Sequence, residues 1–379
     1  MMTDNYDITS PNSAFRKQMV DTLLGVGGFA LAFRGGAALA VIDQPQKPME
    51  PSGPFKSIGV RIRRFDGGFR GKIFYPAESS SESRLEAPYC TDGRETSDGM
   101  AGLVGFRQAG LSFLLAHLAS AGSGSFYECQ PDTSQAFPML VYSHGYGGNM
   151  DMASYFLREI ASHGVIVVAV EHTEGTASST ILKDGSLLPF SPRLYSSDEQ
   201  LRIRAKELVI ALKLNAVALE GLNIDSDRVF VGGHSYGGPS SIRAASLRAA
   251  MEKGKGEKAK SLAKIRGLVL HDPALSMGTL GQDNVVLVPT VSWTSDEYDR
   301  AGIRCGHTLH AKGCFHGNFV DAALWAPWWV MRPLSTFIPA AGPCDPIRMH
   351  HLLADSASAF MKDPTVSGIA DMKGLEVRA

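Results

Sequence analysis

Apolar residues along this chain fall in short unbroken blocks, set between glycine-rich turns and stretches of helical periodicity. Blocks near 59–65, 71–75, 138–142, 164–170, 228–232, 266–271, 288–293 and 306–312 read as strands. Most carry little polar alternation, the pattern of strands covered on both faces of a parallel sheet. Helical spacing predicts helices near 105–118, 151–163, 197–220, 236–253, 318–330 and 347–362, and a Pro-, Ser- and Glu-rich loop over 76–100. Strands alternating with helices imply an α/β fold with a mostly parallel central sheet and helices on both faces. No internal repeat breaks this pattern.

The first part of the chain does not fit it. Residues 1–19 are polar, and Thr22 to Phe33 form a glycine-rich apolar run that ends at Arg34. Asp4, Asp7 and Asp21 precede or open that run, whereas a signal peptide has a basic start and an unbroken apolar centre. Ala38-Leu39-Ala40 nevertheless reads as a cleavage site, so a targeting role stays open. Twelve residues are too few to span a bilayer as a helix, which takes about 20. The expectation is an extension over 1–52, partly disordered or loosely docked, followed by one catalytic domain over 53–379.

Composition narrows the function classes. A formal net charge of −1 offers no general attraction to nucleic acid, and no nucleic-acid partner is expected. The five cysteines are odd in number and contain no C-x-x-C pair, which argues against a disulfide framework and against a structural zinc site. No N-x-[ST] sequon occurs. The expected location is cytoplasmic, with association to membranes and secretion both left open.

The candidate chemistry begins at Val229-Phe230-Val231-Gly232-Gly233-His234-Ser235-Tyr236-Gly237-Gly238, an apolar strand running through G-x-S-x-G into a helix. That is the setting of a nucleophile elbow, in which Ser235 takes a strained conformation and glycines let helix and strand pass closely. A second strand ends in His144-Gly145-Tyr146-Gly147-Gly148, the place where such folds set an oxyanion donor upstream of the serine. The backbone amides of Tyr146 and Tyr236 are the expected pair of donors. A base should come last in chain order. Of eleven histidines, His316 alone lies late, after a strand, in a glycine-flanked loop before a helix.

Other histidines read as structural. His144 and His234 brace the turns, His307 and His310 lie within a strand, and His350 and His351 fall in a helix. The acid must lie between Ser235 and His316. Asp272 and Asp296 each follow a strand end, with Glu297 and Asp283 as weaker choices, and topology alone does not separate them.

Several segments together resemble one family. They are Ser143 to Gly148, Leu157 to His172 with its Ala161-Ser162-His163-Gly164 and Glu171-His172 pairs, Gly233 to Gly238, and His316-Gly317-Asn318-Phe319. Gln200 to Glu207, Gly53 to Gly59 and Gly71 to Pro76 add to them. Over roughly 53–362 the chain is similar to the platelet-activating factor acetylhydrolases of the plasma and intracellular type II branch, which are α/β-hydrolases.

The resemblance implies calcium-independent hydrolysis of a short or oxidised acyl chain at the sn-2 position of glycerophospholipids. It implies Asp272 as the acid, and neither metal nor organic cofactor. It implies a phospholipid substrate and contact with membrane or lipid-particle surfaces.

The chain also departs from the family. Pro273 follows Asp272, a basic segment from Lys253 to Lys264 lengthens the stretch between serine and acid, and Tyr146 stands where leucine is usual. A broader lipase, a phospholipase A1 or a polyester hydrolase would use the same triad. A catalytically inactive lipid-binding relative is the other class, against which the complete Ser, Asp and His set counts.

Two apolar features carry their own expectations. Leu103 to Leu118 forms a stripe read as packing against the sheet, with lipid-surface engagement as the family's alternative. Trp325, Trp328 and Trp329 follow His316 and read as core first, then as acyl-pocket or interfacial residues.

Overall fold

The computed structural model describes residues 48–378 except 79–84, 104, 109, 191–196, 255–256, 279–287, 328–330, 332–340, 366–368 and 370–371. Its strands are β1 (Ile58–Arg64), β2 (Arg70–Pro76), β3 (Glu86–Pro88), β4 (Gly122–Tyr127), β5 (Phe137–Ser143), β6 (Ile166–Glu171), β7 (Ser179–Ile181), β8 (Leu187–Pro189), β9 (Ile224–His234), β10 (Gly267–His271), β11 (Thr290–Thr294), β12 (His307–Ala311) and β13 (Leu375–Arg378). Eleven of them form one sheet in the order β13-β12-β11-β10-β9-β5-β6-β2-β1-β4-β3, and β7 with β8 makes a separate hairpin. The centre, from β6 through β12, is parallel, while β2 and β13 add antiparallel to its two sides.

The unbroken apolar blocks are explained by burial on both faces. Leu140, Tyr142, Val167, Ala169, Phe230 and Val269 point to one face, where they meet Phe156 and Ile160 of α2 (Ser154–Ser162) and Leu353, Ala357 and Phe360 of α7 (Pro346–Lys362). Their neighbours Met139, Val141, Val168, Val231 and Leu268 point to the other. There they pack with Ala205 and Leu208 of α3 (Ser197–Ile210) and Ile242 and Ala245 of α4 (Gly237–Lys253). Period-two alternation therefore survives in direction although both faces are apolar.

Some elements differ from the sequence-based expectation. The stretch 76–100 is not all loop, because β3 and the start of α1 (Arg94–Leu103) lie in it. The helix expected over 105–118 is shorter and tighter, a 3-10 turn over Ser112–Ala119. Phe106, Leu115 and Leu118 pack inward while Phe113 is 48% exposed. Of the helix expected over 318–330, the described part up to residue 327 holds two 3-10 turns, His316–Phe319 and Asp321–Leu324. The basic segment carries one short helix, α5 (Glu257–Lys260), and β11 is followed by α6 (Asp296–Arg300).

The apolar run 22–33, Asp283, Trp328 and Trp329 lie outside the described residues. Residues 48–52 lie against the body: Arg158 donates to the Met49 carbonyl at 2.6 Å and Ser52 N donates to Glu159 at 3.0 Å. Among the described residues no helix is long and apolar enough to cross a membrane.

A buried ion pair fixes the chain just past the glycine-rich turn. Lys72 on β2 donates to Asp151 at 2.7 Å, to Ser154 Oγ at 3.0 Å and to the Tyr89 carbonyl at 3.0 Å, using all three ammonium donors. Lys72→Met would strand the Asp151 carboxylate, which is buried with it. The expected cost is about 3–5 kcal/mol of unfolding free energy. A urea titration with an unchanged midpoint would show that the pair contributes nothing.

Candidate active site

Chain reversal places the site. From β5 the chain crosses to β6 on one side, and it later returns to β9 on the other, so a crevice opens beyond the carboxyl ends of β5 and β9. The strand ends are level there: Ser143 pairs with Gly233, His234 with His271, and His271 with Trp293. The loops that leave them begin side by side.

Ser235 lies between β9 and α4 with φ of 56°. Only three non-glycine residues among those described have positive φ, namely Glu128, Ser235 and Asp272, and two of them are at this crevice. Such backbone is strained for an L-residue and persists where the surroundings enforce it. Here they do. The Ser235 amide donates to the His271 carbonyl at 3.1 Å, and its carbonyl accepts from Gly238 and Ala274, each at 2.9 Å. A Cβ on Gly233 or Gly237 would come within 2.6 or 2.1 Å of the Ser143 carbonyl oxygen, so only glycine lets the helix cross the strand this closely. The serine itself is 7% exposed.

Asp272 leaves β10 with φ of 46° and is fully buried. Its Oδ2 lies 2.5 Å from His316 Nδ1, and its Oδ1 accepts from the Ser295 amide at 2.6 Å. A carboxylate so placed fixes the imidazole with Nδ1 as donor and leaves Nε2 for proton exchange. The His316 ring, 29% exposed, is stacked on Tyr298 at 5.0 Å and tilted against His234 at 4.4 Å. Burial pushes the His234 ring well below its ordinary pKa, and Nε2 of the neutral ring lies 3.1 Å from the His316 carbonyl. The residue beside the serine thus holds the loop of the histidine.

Asn318 explains the H-x-N-F segment. Its Oδ1 accepts from the amides of Phe315 at 2.8 Å and Gly342 at 2.6 Å, closing the loop around His316.

The other acids and histidines fall elsewhere. Asp296 binds His310 Nε2 at 2.8 Å and the Gly313 amide at 3.0 Å, so it braces the entry to the loop. Glu297 accepts from the His316 amide at 3.1 Å. His350 is buried on α7 with Nε2 3.0 Å from the Asn318 carbonyl, and His351 Nε2 is 3.1 Å from the Glu50 carbonyl. Trp325 is core: its indole N–H donates to Tyr89 OH at 2.9 Å.

The glycine-rich turn lies against the serine. A Cβ on Gly145 would come 3.0 Å from that of Ser235, and the Tyr146 and Tyr236 rings meet edge to face at 5.9 Å. The two residues named as amide donors therefore adjoin one another. Beneath the turn, Ser143 Oγ lies 2.8 Å from His172 Nε2, and His172 Nδ1 lies 2.7 Å from Glu207. Burial pushes the Glu207 carboxyl up to about 8 and His172 well below its ordinary range.

His172, Glu174 and Glu207 bring ligand-type atoms within 4.8 Å of one another, yet Arg204 already supplies a positive charge at Glu174, 2.9 Å away. The donor set is engaged and does not suit a resident metal ion.

Sequence reasoning did not single out Glu207, Arg204 or Asp321 as parts of this region. Asp321 accepts from the amides of Tyr155 and Phe156 at 2.8 and 3.1 Å, tying the chain past His316 to the start of α2. Burial pushes its carboxyl up to about 7. Arg204 and Glu207 lie within the family-like Gln200 to Glu207 stretch, which is the available sequence signal for them.

Residues 50–215 match the family model described as platelet-activating factor acetylhydrolase, isoform II. A platelet-activating factor acetylhydrolase of Canis lupus familiaris is 28% identical over 226 residues, 50% of each chain, and one of Bos taurus 29% identical over 223 residues, 49% of each. Over this part of its length the chain is similar to the platelet-activating factor acetylhydrolases. It spans about half the length of the curated relatives it matches. The family match includes the glycine-rich turn, Glu171-His172 and α3, and stops short of Ser235, Asp272 and His316.

For that second half the fold comparison is the broader one. A structure titled ferulic acid esterase from Streptomyces cinnamoneus superposes with a TM-score of 0.61 at 18% identity, covering 89% of this chain and 100% of that one. The fold is that of an α/β-hydrolase.

Proposed function

We propose that this chain is a serine esterase that releases a short or oxidised acyl group from the sn-2 position of glycerophospholipids, without calcium. The observation that carries the reading is the buried Asp272 bonded to His316 at 2.5 Å beside the strained Ser235. In the proposed reaction His316 Nε2 takes the Ser235 proton as Oγ attacks the ester carbonyl. The amides of Tyr146 and Tyr236 hold the oxyanion, each donor being worth about 3 kcal/mol. Protonated His316 then gives its proton to the departing lysophospholipid oxygen. Water, deprotonated by the same ring, attacks the acyl-enzyme and frees the carboxylic acid and Ser235.

Fixed backbone donors polarise the carbonyl, so none of these steps calls for calcium. Selectivity then comes from the pocket, where one methylene shifts discrimination by only about 1–3 kcal/mol. Tyr146, edge-on to Phe190 at 5.2 Å, sets an aromatic ring beside the turn where the family usually has leucine.

Purified protein should cleave platelet-activating-factor-like lipids with a short sn-2 acyl group faster than dipalmitoyl lipids, equally with and without a calcium chelator. A panel of sn-1 and sn-2 labelled phospholipids and p-nitrophenyl esters reads this directly. Preferential release of long sn-1 chains would replace the acetylhydrolase reading with a lipase or phospholipase A1 while keeping the serine mechanism.

A further inference from the structure

Arg204 is on α3, and its side chain is completely buried. Its Nε donates to Glu174 Oε1 at 2.9 Å. One terminal nitrogen, Nη1, donates to the His144 carbonyl at 2.9 Å and to Ser240 Oγ at 3.3 Å. The other, Nη2, donates to the Gly145 carbonyl at 3.4 Å and lies 3.0 Å from His144 Nδ1. The guanidinium carbon stands 5.0 Å from the centre of the Tyr236 ring, and Ser240 Oγ in turn donates to the Tyr236 carbonyl at 2.8 Å. One rigid plane therefore touches the glycine-rich turn on one side and the first turn of the nucleophile helix on the other.

The two carbonyls it binds belong to consecutive peptide units. A trans peptide points its C=O and its N–H in opposite directions. The Gly145 carbonyl is held jointly by Arg204, by the Gly148 amide at 3.1 Å and by His144 Nδ1 at 2.8 Å, so that the Tyr146 N–H of the same peptide faces away from all three; by holding the His144 carbonyl, Arg204 also fixes the peptide before. Rotation of the Gly145–Tyr146 unit would swing an oxygen to where the donor belongs. Lysine would not replace this contact, since it offers three donors on one nitrogen and no plane.

We propose that Arg204 is a positioning residue for the esterase reaction, setting the orientation of the Gly145–Tyr146 peptide, and so of one oxyanion donor, relative to Ser235. This rests on the reading of Ser235 as nucleophile. The competing view is that Arg204 only neutralises Glu174 within the core.

The paired variant Arg204→Met with Glu174→Gln separates the two views, because it removes both charges and strands neither. The melting temperature should stay near that of the parent. The expected change is a fall in kcat of about 100-fold with KM little altered, the size of losing one oxyanion donor. Affinity for a trifluoromethyl ketone, which adds to the serine as a hemiketal oxyanion, should weaken in parallel with kcat/KM. Arg204→Lys should keep the charge and recover only part of kcat, and it gives the same split if the paired variant does not fold.

Wild-type kcat in a folded variant, or a loss that falls on KM with ketone affinity unchanged, would overturn the positioning role. Ser235→Ala distinguishes the two levels of failure. If it silences hydrolysis while the Arg204 variants stay fully active, only the positioning role is lost. If hydrolysis survives Ser235→Ala, both readings are lost.

Discussion

Ser235→Ala is expected to lower ester hydrolysis by about 10⁴-fold or more while the protein stays folded. The hydroxyl supplies the nucleophile, and the packing at this position depends on backbone. The amide and carbonyl of Ser235 make the bonds to His271, Gly238 and Ala274, and alanine keeps all three. Alanine also retains the strain of φ near 56°, so neither relief nor added cost is expected in stability. Initial rates on a short-chain p-nitrophenyl ester, together with a thermal melt, check both halves. Residual activity above about a tenth of the parent, in protein free of other esterases, would remove Ser235 from the nucleophile role.

The second large effect separates two aspartates. Asp272→Asn should cost about 10⁴ in turnover, because an amide facing His316 Nδ1 favours the wrong tautomer while the geometry is kept. The backbone bond from the Ser295 amide to Oδ1 can survive in the variant, so folding should be little affected. Asp296→Asn should act through stability instead. It weakens the contacts to His310 and the Gly313 amide, at a cost of roughly 1–2 kcal/mol, with turnover close to the parent. Rates and denaturation midpoints measured on both variants decide the matter. Turnover lost in the Asp296 variant and kept in the Asp272 variant would move the acid to the following strand.

The two aspartates also show where sequence reading reaches its limit. Both follow an apolar block, and chain order is satisfied by either. What distinguishes them is the left-handed turn at Asp272, which aims its carboxylate at the base loop, and the helix start at Asp296, which aims that side chain at β12. Neither geometry is written in the residue type. Family resemblance pointed to Asp272, and its geometry is that of the partner of His316.

By contrast, the central strands, the elbow, the glycine-rich turn and α4 were legible, because unbroken apolar blocks and glycine turns have few other uses. The misread segments lack such marks. Gly105 and Gly110 interrupt the stripe expected as one helix. Gly122 to Tyr127 pair as β4, between β1 and β3, with no apolar pattern over Gly122 to Ser125. Arg204 hid within a highly charged helix, where one buried guanidinium looks like its exposed neighbours until the fold brings it under the turn.

In the proposed reaction Ser235 is a nucleophile activated through His316 and Asp272. Labelling the purified protein with a fluorophosphonate and mapping the adduct by peptide mass spectrometry tests it most directly. One adduct is expected, on the peptide bearing Ser235, lost on heat denaturation before labelling and absent from Ser235→Ala. An unlabelled Ser235 in protein that still hydrolyses esters, or an adduct on another serine that tracks the loss of activity, would contradict it.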